Sequence, residues 1–370
     1  MKTLPGVAAA LDAIVAERGL PAVTVMVTDA HGVIHRSDHG AARAGDIWRL
    51  YSMTKLIGVV AALKLVEAGR LSLIQPVGDI APEFDQLSVL DGFDGAVPRL
   101  RPQRTRATMA DLMNHRSGAV YGVWHKGVRD FMRHAGMRGL DDATLAGLTS
   151  LPLAFDPGTA WGYGTGIDWL GLIIERITGD TVEAFVTREV LAPIGANEVV
   201  FSLDDATRPR LRPAHQAEAV GFAPLDMTPG PKRDFYPMGS ALFGTPDAYL
   251  AVLRALLAPG RLLSGEMTGL LSDVTSFVES PVRSTHPGAS ADVDILDGAP
   301  AGYGPGGLIA LEDVPGRRRK GAYGWAGMQN THFWVDPTAE LAAVIMMQHL
   351  PFADEHAMAA LWAFERAIYR

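Results

Sequence analysis

The chain has 370 residues, 48% of them hydrophobic and 20% charged, with a net charge of −8. That acidity argues against nucleic acid or an anionic membrane surface as a partner, since both need a basic face. The absence of cysteine excludes a thiol nucleophile, a disulfide framework and every cysteine-ligated metal site.

Met1-Lys2-Thr3-Leu4-Pro5 runs into residues 7–15, which carry Asp12 and read as an amphipathic helix, not as a signal peptide. No window approaches the ~20 apolar residues of a membrane span. A soluble cytoplasmic protein, monomeric or homodimeric, is expected. Residues 22–29 and 33–37, around Ala30-His31-Gly32, predict a β-hairpin. A helix then begins at about Ser52 and stops at Gly69. Leu56, Ile57, Val59, Val60, Leu63, Leu65 and Val66 leave it little polar surface, so it should be buried.

From 81 to 284 the pattern is mostly helical or irregular, with few strand signals just after 81. Helices are predicted at 109–114, 144–150, 167–177 with Gly179 as its stop, 181–191, and 245–257 after Thr245 and Pro246. Strand signals return at 306–311, 321–330, 331–336 and 341–349, and residues 355–369 form a closing helix. The fold class expected is α+β. An antiparallel sheet flanked by helices would come from 1–80 and 285–370, and 81–284 would be a mostly helical insertion, with a site in the cleft between them. The run Arg317-Arg318-Arg319-Lys320 reads as a solvated hairpin tip.

Ser52 and Lys55 stand three residues apart and so share a helix face. A lysine in the first turn of a buried helix is costly unless it finds a partner or loses its proton, which makes Lys55 a candidate acceptor for the Ser52 proton. Taken alone, S-x-x-K is a weak pattern, and its plainer reading is an N-cap serine with a surface lysine. No serine sits in a G-x-S-x-G frame, which counts against an α/β-hydrolase. Tyr163 lies between glycines on a loop after Asp156-Pro157-Gly158, where it could approach a substrate or simply pack. In Tyr323-Gly324-Trp325-Ala326-Gly327-Met328, a strand edge, small residues would let a ligand reach main-chain N–H groups. The histidines are read as scattered, and neither a metal nor a cofactor is expected.

Together and in this order, these stretches resemble one family. The S-x-x-K after Trp48-Arg49-Leu50-Tyr51, the tyrosine after a P-G turn, and W-x-G followed by Phe333-Trp334-Val335-Asp336-Pro337 are similar to the class C β-lactamase-like serine hydrolases, the family VIII carboxylesterases. Leu112-Met113-Asn114-His115-Arg116-Ser117-Gly118 resembles that family's L-L-x-H-x-S-G loop, and residues 238–245 resemble its Gly-rich segment before a helix. The resemblance implies a β-lactamase/penicillin-binding-protein-like fold and acylation of Ser52. It gives the proton traffic to Lys55 and Tyr163, and the oxyanion hole to the N–H groups of Ser52 and Met328. His115 would be structural.

Two positions depart from the antibiotic-hydrolysing pattern. Trp325 stands where those enzymes carry the lysine of K-T-G, and Thr165 stands where they carry the asparagine of Y-x-N. An indole cannot pair with the carboxylate of a β-lactam, and threonine lacks the amide donor. With Trp325 and Thr165 at the substrate, an apolar ester fits better. The expected activity is hydrolysis of a small carboxylic ester through acyl-Ser52. The alternatives are an acyltransferase of the same fold, a weak β-lactamase or D-aminopeptidase, and a non-enzymatic penicillin-binding-like sensor.

Overall fold

The computed structural model describes residues 4–137, 144–227 and 235–369. Helix α1 (Pro5–Arg18) opens on a proline, which lacks the N–H that a first turn cannot pair, and buries Val7, Leu11 and Val15 as one stripe. Strand β1 (Ala22–Thr28) is buried at every position, as a strand covered on both faces must be. It pairs antiparallel with β2 (Val33–Gly40).

Helix α2 (Thr54–Glu67) is buried on nearly all sides and ends before Gly69, whose φ of 66° suits glycine. Helices α3 (Trp169–Thr178) and α4 (Pro246–Leu257) follow; Thr245 caps α4 by accepting from the Ala248 N–H. Five strands then come in succession: β3 (Ser276–Val278), β4 (Ala301–Gly304), β5 (Gly307–Ala310), β6 (Tyr323–Gly327) and β7 (Thr331–Asp336). Strand β8 (Leu341–Met346) and helix α5 (Glu355–Ile368) close the chain.

Among the described residues the main sheet has eight strands in the order β3-β4-β5-β6-β7-β8-β1-β2, antiparallel throughout. The first hairpin therefore zips onto the last strands, with Val25 opposite Ile345. Phe333 and Trp334 point to opposite faces. Phe333 packs on Tyr249 of α4, and Trp334 packs on Phe364 of α5, where α1 also lies. An antiparallel sheet flanked by helices is the arrangement expected from the resemblance.

Three details differ from the expectation. Strand β3 and helix α4 fall within 81–284, the stretch read as a helical insertion, yet both belong to the sheet and its cover. A hairpin, Val89–Asp94 with Val97–Arg101, stands where few strand signals were found; beyond Val89 and Leu90 its residues are half-buried or exposed, so no clear hydrophobic alternation marks them. The third is the cationic run. Arg317 and Arg318 are only 2% exposed, and both bond Glu365 of α5, which is fully buried. Their guanidinium groups lie over the rings of Trp362 and Trp334. Flat, weakly hydrated guanidinium groups tolerate such burial when a carboxylate and aromatic faces receive them. Among the described residues no helix is long and apolar enough to cross a membrane.

Candidate active site

A short strand carries the chain to Ser52: Trp48–Arg49 pairs with Phe243–Gly244, and the Leu50 N–H donates to the Leu242 carbonyl at 3.0 Å. The backbone then turns sharply, with Tyr51 at a φ of 43°, into a 3-10 turn over Tyr51–Met53. Ser52 therefore precedes α2 instead of opening it, and Lys55 lies in the first α-helical turn. Lys55 is 3% exposed, and its Nζ reaches Ser52 Oγ at 3.2 Å. Two further acceptors hold that Nζ: the Gly239 carbonyl at 2.9 Å and the Tyr121 hydroxyl at 3.2 Å.

Two loops are laced beside the lysine. The Tyr121 N–H donates to the Tyr163 carbonyl at 3.0 Å, and the Thr165 N–H donates to the Ala119 carbonyl at 2.9 Å. This pairing sets the two tyrosine rings 5.4 Å apart, and Lys55 Nζ lies 5.1 Å and 5.0 Å from their centroids. Their hydroxyls have different partners. Tyr163 accepts from Trp325 Nε1 at 2.8 Å, whereas Tyr121 receives Lys55 and faces Asp168 Oδ2 at 3.4 Å. Burial, and then the Asp168 carboxylate, push Tyr121 well above the usual phenol range, so it stays protonated.

His115 sits against the edge of the Tyr163 ring, with centroids 4.6 Å apart, and its Nδ1 accepts from the Gly164 N–H at 3.3 Å. Burial, with Lys55 nearby, pushes it well below the usual imidazole range, so it is a neutral packing group.

On the far side, β6 meets the serine turn at backbone distance. A Cβ on Gly327 would lie 2.4 Å from the Leu50 carbonyl oxygen and 2.3 Å from Thr331 Oγ1. Only glycine permits this contact, and Met328 is the next residue in the chain. Beside Tyr163 the walls are apolar: Trp124, Trp161, Val282, Val293, Trp325 and Phe352. A separate cavity of about 450 Å³, lined by Asp29, Leu256, Tyr323 and Glu340 among others, includes none of these residues.

The structure thus brings Ser52, Lys55, Tyr163 and Trp325 together. Trp325 spends its indole N–H on Tyr163, so that donor is not open to a ligand. Thr165 is 5% exposed and takes part through its backbone, its carbonyl accepting from the Asp168 N–H at 3.0 Å. Tyr121 and Asp168 were not anticipated. Tyr121 lies three residues after the H-x-S-G loop and Asp168 just ahead of an apolar helix, and neither position by itself marks a role at Lys55.

His35 and His39 do stand four apart, a spacing that on a helix would suit a metal. On β2 they instead meet the same Ser37 Oγ, at 3.0 and 2.8 Å, with Asp12 on His39 Nδ1 at 2.7 Å. Among the described residues no three His, Asp or Glu groups are arranged to hold a metal ion.

The Beta-lactamase family model matches residues 7–367. The chain belongs to the Beta-lactamase family. It is 31% identical to a monacolin J acid methylbutanoyltransferase of Aspergillus terreus over 336 residues, covering 87% of this chain and 81% of that protein. It is also 30% identical to a lovastatin esterase of Penicillium rubens over 342 residues, covering 88% and 85%. The unliganded simvastatin synthase of Aspergillus terreus superposes with a TM-score of 0.84 at 27% identity, covering 100% of this chain and 98% of that one. The protein is therefore an enzyme of the serine hydrolase and acyltransferase branch of the family.

Proposed function

We propose that this enzyme transfers a short acyl group to the hydroxyl of an apolar alcohol through an acyl-Ser52 intermediate. The observation that carries the reading is the 3.2 Å contact between the buried Lys55 Nζ and Ser52 Oγ, with the Tyr121 and Tyr163 rings about 5 Å from that Nζ. Ser52 Oγ attacks the acyl carbonyl and its proton passes to Lys55. The oxyanion is received by the N–H groups of Ser52 and Met328, and the leaving group departs with a proton from the Lys55–Tyr163 pair. An acceptor alcohol then gives its proton to the same pair and attacks the acyl carbon; the bond to Ser52 Oγ breaks, and Oγ takes that proton back from the pair.

Sequence reading alone puts hydrolysis first. Transfer is now favoured, because a relative at 31% identity is a methylbutanoyltransferase and the site walls are apolar. A short, branched, methylbutanoyl-like acyl group is the donor class we propose. Ester hydrolysis is the second reading, supported by the likeness to a lovastatin esterase; in it, water takes the place of the alcohol.

The test offers p-nitrophenyl esters and thioesters of rising chain length, with and without an alcohol acceptor, and resolves new ester from free acid. Transfer product should dominate in the presence of a bulky apolar alcohol. Free acid alone at every acceptor concentration would leave the esterase reading in its place.

A further inference from the structure

Lys55 is fastened by a closed ring of contacts that no role assigned so far explains. Its Nζ bonds the Gly239 carbonyl at 2.9 Å, and the Gly239 N–H donates to Asp168 Oδ1 at 2.7 Å. Asp168 Oδ2 faces the Tyr121 hydroxyl at 3.4 Å, and that hydroxyl returns to Lys55 Nζ at 3.2 Å. The four residues come from four separate parts of the chain. Gly239 cannot be anything larger, because a Cβ there would lie 2.2 Å from Asp168 Oδ1.

The geometry points to Asp168 as a positioning residue: the buried counter-charge that, through Tyr121 and Gly239, holds Lys55 on Ser52. This inference rests on the proposed function, because it gives Lys55 the proton of Ser52.

The chemistry of the neighbours agrees. Asp168 is 4% exposed. Burial raises its carboxyl above the usual range, while Lys55, the Gly239 N–H and the Tyr121 hydroxyl each favour its ionised form. Tyr121, held protonated, can donate to Asp168 and still accept from Lys55, so it transmits the carboxylate's pull without serving as a base. The other polar groups around the ammonium are Ser52, Tyr163 and His115. His115 is neutral, Ser52 and Tyr163 are hydroxyls, and Asp168 is the acid among them. An isolated ammonium in such a site would be strongly disfavoured.

The experiment is the pH dependence of kcat/KM for a short p-nitrophenyl ester in wild type, Asp168→Asn, Tyr121→Phe and the double variant. Removing the carboxylate takes the one negative charge out of this ring, so the acid limb should move to lower pH by about one unit in Asp168→Asn. Tyr121→Phe breaks the link and should move the limb the same way. The double variant should add little, because both act through one path. A residue that merely supports the fold would lower turnover at every pH and leave the limb in place.

Should Asp168→Asn fail to fold, Tyr121→Phe alone decides by the direction of its limb. Unmoved limbs, with the expected loss in Lys55→Ala, overturn this inference alone. Wild-type turnover in Lys55→Ala would remove the proposed function and this inference with it.

Discussion

The indole N–H of Trp325 donates to the hydroxyl of Tyr163 across 2.8 Å, and both side chains are buried. The late-strand indole is thus turned inward, onto the group proposed to shuttle protons. Trp325→Phe keeps the apolar wall and deletes one hydrogen bond. We expect kcat to fall about tenfold with KM little changed, the scale of a single buried hydrogen bond. A rise in KM at constant kcat would show that the indole binds substrate directly.

The nucleophile is tested by labelling. A fluorophosphonate probe should modify the wild type at Ser52, and Ser52→Ala should lose both the label and turnover of every acyl donor. Full activity in Ser52→Ala would end the acyl-serine mechanism.

Proton transfer gives a second test. Lys55→Ala and Tyr163→Phe should each lower kcat by on the order of 10²-fold or more, as expected for general acid–base groups. The double variant should fall far short of the product of the two losses, because the pair acts as one unit. A nearly silent Tyr163→Phe would make that tyrosine a packing residue.

Substrate class follows from the charges available. A β-lactam brings a carboxylate, and Trp325 offers no charge to meet it. Arg317 and Arg318 are locked on Glu365 and are not free to help. Losing a charge-assisted hydrogen bond costs roughly 1.5–3 kcal/mol. Turnover of a chromogenic cephalosporin should therefore lie at least ~10²-fold below that of a short p-nitrophenyl ester in kcat/KM. Equal efficiencies would mean that a cation elsewhere reaches the cleft.

Acid stability should depend on Asp156. Arg101 grips both its oxygens, at 2.9 and 2.7 Å, and the Arg104 N–H adds a third bond at 2.9 Å. The Arg101 hydrogen bonds, foremost, lower its carboxyl from 3.8 to about 2. A depressed carboxyl stabilises the fold above its unfolded value, and that stability fades as pH falls from about 4 towards 2. Asp156→Asn should lower Tm near pH 6, and the gap from wild type should shrink below pH ~4. A gap independent of pH would assign the effect to packing.

How much of this was legible in the sequence depends on how local each feature is. The Ser52–Lys55 pair could be read because three residues on one turn fix their own geometry, whatever the rest of the chain does. Helix α4 was equally clear from Thr245 and Pro246 at its start. The ring around Lys55 was not legible, because Tyr121, Asp168 and Gly239 acquire their roles only where separate loops meet. Each of them alone resembles a packing residue. Arg317 and Arg318 show the opposite failure. Four consecutive cations read as solvated unless one knows that Glu365, nearly 50 residues on, lies buried beneath them.

Gly327 also bears on how such an enzyme can change over evolutionary time. With the Leu50 carbonyl and Thr331 Oγ1 closer than any Cβ allows, the gap between the serine turn and the late strand has no room for a side chain at this position. No substitution at that position can widen or retune it gradually, since the first added carbon already collides. New substrates must therefore be accommodated by the surrounding walls, where Trp124, Trp161, Val282 and Val293 can be exchanged one at a time. Directed evolution restricted to those walls should broaden substrate range, while libraries at Gly327 should return dead or unfolded proteins.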